Sequence, residues 1–223
     1  MTNPAAPSPA LRVIKLGGSL FDYPDLRARF HAWLAHQSPA ANLVVAGGGD
    51  LVEAIRRLDQ RRSLGEIRAH RLCIRAMGIT AELAAQLLGC ELVTWPVGSR
   101  LPASEPDVFV VDVTNFIAED QQRSDDPLPE SWQVTSDSIA ARMAAVLRAD
   151  ELVLLKSALP EGETLEQMSV AGYVDLHFPR VAVTRPLRFV DLRTAAAGAI
   201  PTSLQLDGSA PNERFIDPSS NRS

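Results

Sequence analysis

The chain uses lysine only twice, at Lys15 and Lys156, and every other one of its 22 basic residues is arginine. Both lysines close strand-like apolar runs, Leu11 to Leu16 in one case and Glu151 to Leu155 in the other. An ammonium group is a compact point charge on a mobile stem, which suits a phosphate. Arginine-rich usage also follows from genome composition, so the count by itself assigns no role. Directly after Lys15 come Gly17, Gly18 and Ser19. Adjacent glycines after a strand let the backbone approach a ligand closely and turn successive N–H groups toward an anion. A tight turn without a ligand is the competing reading. Gly47, Gly48 and Gly49 repeat the device after the next apolar run. Three glycines are costly in folding entropy, so a mere connector explains them less well. Two such turns suggest one for each side of a phosphoryl-transfer centre.

Thr135-Ser136-Asp137-Ser138 opens a predicted helix. Capping is the plain reading, with a hydroxyl or carboxylate accepting a backbone N–H and complementing the helix dipole. Asp137 also stands shortly before the strand that ends in Lys156. A carboxylate between two lysines can orient both ammonium groups without reacting itself. Loose phosphoryl transition states need mainly positioning and charge stabilisation, which such a trio supplies. The P-loop pattern G-x-x-x-x-G-K followed by Ser or Thr is missing, as is the protein-kinase signature set. His31, His36, His70 and His177 have no metal-ligand spacing, and no residues are assigned to a metal. Arg56-Arg57 and Arg61-Arg62 read as a solvated helix face, with phosphate steering as the lesser alternative.

These residues need strands and helix ends to hold them. Strands are predicted at Leu11–Leu16, Asn42–Ala46, Glu91–Thr94, Asp107–Val111, Glu151–Leu155, Arg188–Leu192 and Thr202–Leu206. Helices are predicted over Asp25–His36 and Asp50 to about Gln60, each with an apolar stripe at helical spacing, over the Ala/Leu-rich run from about Gly65 to Leu88, and over Thr135–Ala149, capped by Thr135 or Ser136. Loops fall at Ser104–Asp107 and Ser124–Glu130. Strand–helix alternation predicts an α/β protein with a largely parallel sheet covered on both faces. Ligands of such sheets collect at the carboxyl ends of the strands, where both glycine clusters fall.

At 223 residues the chain is long enough for one large domain, placed here at residues 11–206. Residues 1–10 read as a loose arm and 207–223 as a disordered tail. The net charge of −5 gives no reason to expect a nucleic-acid or anionic-membrane partner. No stretch approaches the ~20 apolar residues of a membrane span. Cys73 and Cys90 cannot form a disulfide framework, which favours a reducing compartment and a cytoplasmic location.

Three segments in order, Val13 to Ser19, Val44 to Gly49 and Thr135 to Ala140, resemble the amino acid kinase superfamily. Its members include acetylglutamate, aspartate, uridylate and isopentenyl phosphate kinases. A weaker match continues through Gly172-Tyr173-Val174-Asp175 and Phe189-Val190-Asp191-Leu192. Within the superfamily, Gly47 to Met77 looks like the small kinases of methanofuran biosynthesis. The resemblance implies a three-layer α/β/α sandwich with a mainly parallel sheet of about eight strands. It implies ATP with Mg2+ as donor and [5-(aminomethyl)furan-3-yl]methyl phosphate, converted to its diphosphate, as the small phosphorylated acceptor. It further implies Lys15 and Lys156 on the transferring phosphate with Asp137 holding them. Gly17, Gly18, Ser19 and Ser157 would lie on the nucleotide side, and Gly47, Gly48, Gly49 and His70 on the acceptor side. A homo-oligomer is expected on the same ground. UMP or another phosphometabolite as acceptor, and a non-catalytic ligand-binding module on the same fold, are the alternatives. Lys156 to Gly162 replaces the Asp-Val-Asp-Gly type loop of many members, so the nucleotide lobe reads as shortened.

Overall fold

The structure is a computed structural model that describes residues 10–96, 107–182, 186–193 and 202–206. The predicted arm up to residue 9, the loop at 104–106 and the tail from 207 lie outside the described residues.

The first strand, β1 (Leu11–Leu16), ends at Gly17 and a single 3-10 turn, Gly18–Leu20. Then follow α1 (Leu26–Ala35), β2 (Ala41–Ala46), α2 (Gly49–Arg62) and α3 (Glu66–Leu88). Two strands, β3 (Glu91–Thr94) and β4 (Val108–Asp112), precede α4 (Thr114–Arg123) and α5 (Ser136–Leu147). The chain continues through β5 (Glu151–Lys156), α6 (Leu165–Val170), α7 (Phe178–Val181), β6 (Leu187–Asp191) and β7 (Ser203–Leu206).

Among the described residues, seven strands form one sheet in the order β3-β4-β2-β1-β5-β6-β7. All neighbours are parallel except β6 and β7. Seven strands among the described residues stand against the eight that the resemblance implied. The layered α/β architecture is as expected.

Side-chain alternation along the strands builds two cores. Val13, Leu43, Val45, Leu152 and Leu154 face one side and pack with Phe116, Ile139, Met168 and Phe178 from α4 to α7. Ile14, Leu16, Val44, Val153 and Leu155 face the other, against Leu26, Phe30 and Trp33 of α1 and Ala81, Ala84 and Leu88 of α3. The 23-residue α3 contributes to both cores, Ile74 and Met77 to the first and its last turns to the second. At about 1.5 Å per residue it is long enough, roughly 34 Å, to pass from one side to the other. Its Gly78 lies against Asp112 and Thr114, at the carboxyl end of β4.

The centre of the sheet fixes where a ligand can bind. From β1 the chain steps outward to β2, and later returns to β5 on the opposite flank of β1. The connections leaving this point therefore diverge, and a crevice opens at the carboxyl end of β1. Helices α4, α6 and α7 were not predicted. Ten, six and four residues long, they are too short for a clear period and owe their helicity to packing.

Phe30 is fully buried in the core on the α1 side of the sheet. A Phe30→Ala variant is expected to lose about 3–5 kcal/mol of stability, read as a lowered urea midpoint. A midpoint within error of wild type would show that α1 is not an integral layer.

Candidate active site

Lysines 15 and 156 sit at the carboxyl ends of adjacent parallel strands, β1 and β5. Val13 and Lys15 share one face of β1, while Leu152, Leu154 and Lys156 share the same face of β5, because side chains alternate with period two. That face is the one covered by α5. The first turn of α5 therefore lies over both ammonium groups, and it carries Asp137. Lys15 Nζ stands 2.9 Å from Asp137 Oδ1, and Lys156 Nζ stands 2.8 Å from Asp137 Oδ2. The Lys156 contact is a well-formed hydrogen bond. The Lys15 contact is an ion pair whose angle leaves Oδ1 without a directed hydrogen bond. Lys156 donates a second hydrogen bond to the Tyr173 carbonyl, 2.8 Å away, and its ammonium lies 5.1 Å from the Tyr173 ring centroid.

All three groups are shielded, with only 6% of Lys15 and 4% of Asp137 exposed. Burial pushes the Asp137 carboxyl up, but the charges of Lys15 and Lys156, with the Lys156 hydrogen bond, outweigh it and hold it below the usual carboxylate range. Burial, reinforced by the charge on Lys15, lowers Lys156 to about 8 in spite of Asp137. Two ammonium groups around one carboxylate leave a surplus positive charge in a place poor in water. Such a trio is complementary to an anion, and its value grows as water is excluded.

Two glycine turns meet beside it. Gly17 N donates to Leu155 O at 2.9 Å, and Gly47 N donates to Leu16 O at 2.8 Å, so both turns continue the sheet's own ladder. A Cβ on Gly18 would fall 2.4 Å from Gly49 N, and one on Gly47 would fall 2.6 Å from Gly18 N. Backbone packs on backbone here, and only glycine permits it. Helix α2 starts at Gly49 with no side-chain cap, leaving the positive end of its dipole open to the cleft. Ser19 and Ser157 are brought together, Oγ to Oγ at 3.3 Å.

The glycine turns line a cleft of about 420 Å3 together with Ser19, Arg56, Thr135 and Ser136. A second cleft of about 440 Å3 is lined by Asp137, Lys156, Gly172, Tyr173 and Asp175. Thr135 borders both, so the start of α5 stands between them. His70 lies off the first cleft, in a narrow pocket that also touches Gly48, Arg56 and Trp132. Its Nδ1 is 3.0 Å from Ser131 O, so that nitrogen carries the proton. Burial lowers the His70 pKa, against the opposing pull of the Ser131 carbonyl and the Glu130 and Glu66 charges.

Sequence reasoning missed two residues of this region and gave a third the lesser weight. Arg56, read first as part of a solvated face with phosphate steering as the alternative, lines the cleft beside Trp132. Trp132 itself gave no signal in its loop. Asp175 fell in a matching segment but received no role. Its Oδ2 accepts from Thr135 N, Thr135 Oγ1 and Ser138 N, and its Oδ1 from Ser138 Oγ, His177 N and Phe178 N, all within 2.5–3.1 Å. One carboxylate thus fixes the first turn of α5, and through it Asp137.

No protein-family model matches the chain. The UMP kinase of Ureaplasma parvum superposes with a TM-score of 0.54 at 13% identity, covering 86% of this chain and 92% of that one. The UMP kinase of Bacillus anthracis gives 0.54 at 11% identity, covering 83% and 88%. Aspartate kinase from Synechocystis gives 0.58 at 14% identity, over 86% of this chain and 39% of that one. The chain has the amino acid kinase fold. The [5-(aminomethyl)furan-3-yl]methyl phosphate kinase of Methanocaldococcus jannaschii is 20% identical over 145 residues, or 65% of this chain. That match spans 64% of the relative, just under two thirds of its length. On the amino acid kinase fold, the two lysines, Asp137 and both glycine turns stand where the strand order reverses its direction of growth.

Asp175→Asn replaces one acceptor oxygen by an amide NH2 facing three donors. It is expected to cost about 2–4 kcal/mol, measured by urea unfolding. An unchanged midpoint would mean that the α5 start is held by other contacts.

Proposed function

We propose that the chain is an ATP-dependent small-molecule kinase that transfers the γ-phosphoryl group to the phosphate of a small phosphorylated acceptor. [5-(aminomethyl)furan-3-yl]methyl phosphate, converted to its diphosphate, is the proposed acceptor. The observation that carries this reading is the bridging of Lys15 and Lys156 by a buried Asp137 beside two interlocked glycine turns. The name of the methanogen relative supports the acceptor, and its length of match supports it only in part. The reading includes the expectation of a cytoplasmic homo-oligomer. No helix among the described residues is long and apolar enough to cross a membrane.

In the proposed reaction an oxygen of the acceptor phosphate attacks the γ-phosphorus in line. A new P–O bond forms while the bond to the β–γ bridging oxygen breaks, and ADP leaves with that electron pair. The attacking oxygen is already ionised, so no general base is required. Lys15 and Lys156 offset the charge spread over the transferring group, and Asp137 holds both without bonding to phosphorus. Gly17, Gly18, Ser19 and Ser157 would bind the nucleotide phosphates. Gly47, Gly48, Gly49 and the open start of α2 would bind the acceptor, with His70 on the same side. Mg2+ neutralises nucleotide phosphate charge when bound. Among the described residues no group of three His, Cys, Asp or Glu side chains is gathered as in a metal cage, and the ion is proposed to arrive on ATP.

A second reading keeps the chemistry with UMP as acceptor, favoured by the two UMP kinases that share the fold.

The test is turnover of Mg-ATP by purified protein with the furan phosphate and with UMP. Asp137→Asn and Lys15→Ala are each expected to lower kcat by about 10²–10³-fold. Turnover with UMP alone would replace the acceptor, whereas wild-type rates in both variants would overturn the proposed centre.

A pH profile adds an independent check. Lys156 must be protonated to act, so activity should fall as pH rises through about 8. Lys156→Arg, which stays charged, should move that alkaline limb upward in whatever activity it retains. A limb that stays in place would assign the titration to another group.

A further inference from the structure

Arg56 projects from the second turn of α2 to the junction of the glycine-lined cleft and the narrow pocket beside His70. Its guanidinium lies 4.3 Å from the centroid of the Trp132 ring. The indole is fixed in turn: its Nε1–H donates to Asp59 Oδ2 at 2.9 Å, and the Trp132 backbone N–H donates to Glu66 Oε1 at 3.0 Å. A cation stacked on an anchored aromatic face loses little further freedom when it binds an anion.

The charges around it give the residue its significance. The ionisable side chains lining this cleft are Asp22, Asp50, Glu53 and Arg56. Three carboxylates oppose an anion, and Arg56 is the one cation lining the cleft among the described residues. The two lysines, bridged by Asp137, do not line this cleft.

An ordinary surface role fits less well. The Arg56 contact with Glu53 is a single 3.4 Å approach through Nε, between residues three apart on a helix. Such exposed pairs contribute only a few tenths of a kcal/mol, and they need no fixed indole. The Glu53 contact engages Nε, and no hydrogen bond from the terminal nitrogens, Nη1 and Nη2, is formed among the described residues. These are the atoms that make a forked pair with phosphate oxygens.

We infer that Arg56, held by Trp132, is a specificity-determining residue that binds the acceptor's own phosphate. It thereby selects molecules already phosphorylated over their free alcohols. This rests on the kinase reading above, but it can be tested by binding alone.

The experiment titrates wild type, Arg56→Gln, Arg56→Lys and Trp132→Leu with the furan phosphate, UMP, inorganic phosphate and the unphosphorylated furan alcohol. Binding is followed by calorimetry and turnover by ADP release. In Arg56→Gln, the KM and Kd for the phosphorylated acceptor should rise about 10–100-fold, with the KM for ATP within twofold of wild type. Arg56→Lys should recover part of that loss, and Trp132→Leu should resemble it. An unchanged urea midpoint for Arg56→Gln would show that the fold is intact.

Wild-type binding of phosphate monoesters without turnover, lost in Arg56→Gln, would sink the kinase reading and sustain the Arg56 assignment. Turnover in Arg56→Gln with an unaltered acceptor KM would overturn the assignment and leave the kinase reading standing. Binding of alcohol and phosphate with equal affinity by wild type would also overturn it, as would a wild type that binds none of the four probes.

Discussion

Asp137 holds two ammonium groups within 3 Å in a place where each charge would otherwise be stranded from water. Removing one member of a buried ionic group leaves the others uncompensated, at a cost of about 3–5 kcal/mol. The carboxylate therefore ties the carboxyl ends of β1 and β5 to the first turn of α5. It also sets the chemistry, because one negative charge cannot cancel two positive ones. The remainder is stored as attraction for an anion and is strong because Lys15 and Asp137 are almost wholly buried.

The surrounding structure works to keep that geometry. The parallel pairing of β1 with β5 fixes the spacing of the lysines along the sheet edge. Asp175 accepts four hydrogen bonds from Thr135 and Ser138 at the start of α5 and two from its own turn, at His177 and Phe178, and so sets where Asp137 stands. The Lys156 bond to the Tyr173 carbonyl links the same segment, 172–178, to the centre from the other side. The glycine turns have a second task, since their missing side chains allow two loops to touch through backbone alone. A methyl group at Gly18 or Gly47 would part them and widen the place where donor and acceptor phosphates are proposed to meet.

Much of this was legible in the residues. Short apolar runs ending at lysine or glycine gave the strands β1, β2 and β5, because a buried parallel strand reads as a continuous hydrophobic run. The glycine clusters and the Thr135 cap gave the loop and helix ends, for these too depend on local backbone conformation. The scarcity of lysine singled out two positions in a chain that otherwise uses arginine.

The rest was decided by folding at long range. Nothing local says that Asp137 reaches Lys15, 122 residues earlier. That contact needs β5 to return beside β1, a matter of strand order rather than of sequence pattern. Arg56 has the same composition of neighbours as an exposed arginine, and only the loop carrying Trp132 turns it into the cleft. Asp175 looks like an ordinary acidic residue until tertiary packing sets the α5 start against its carboxylate. Helices α4, α6 and α7 form for the same reason: they are too short to persist alone, and burial against the sheet stabilises them. The sequence by itself determined the chemical groups and their local mounts; the tertiary structure alone decided which of them share one low-dielectric site.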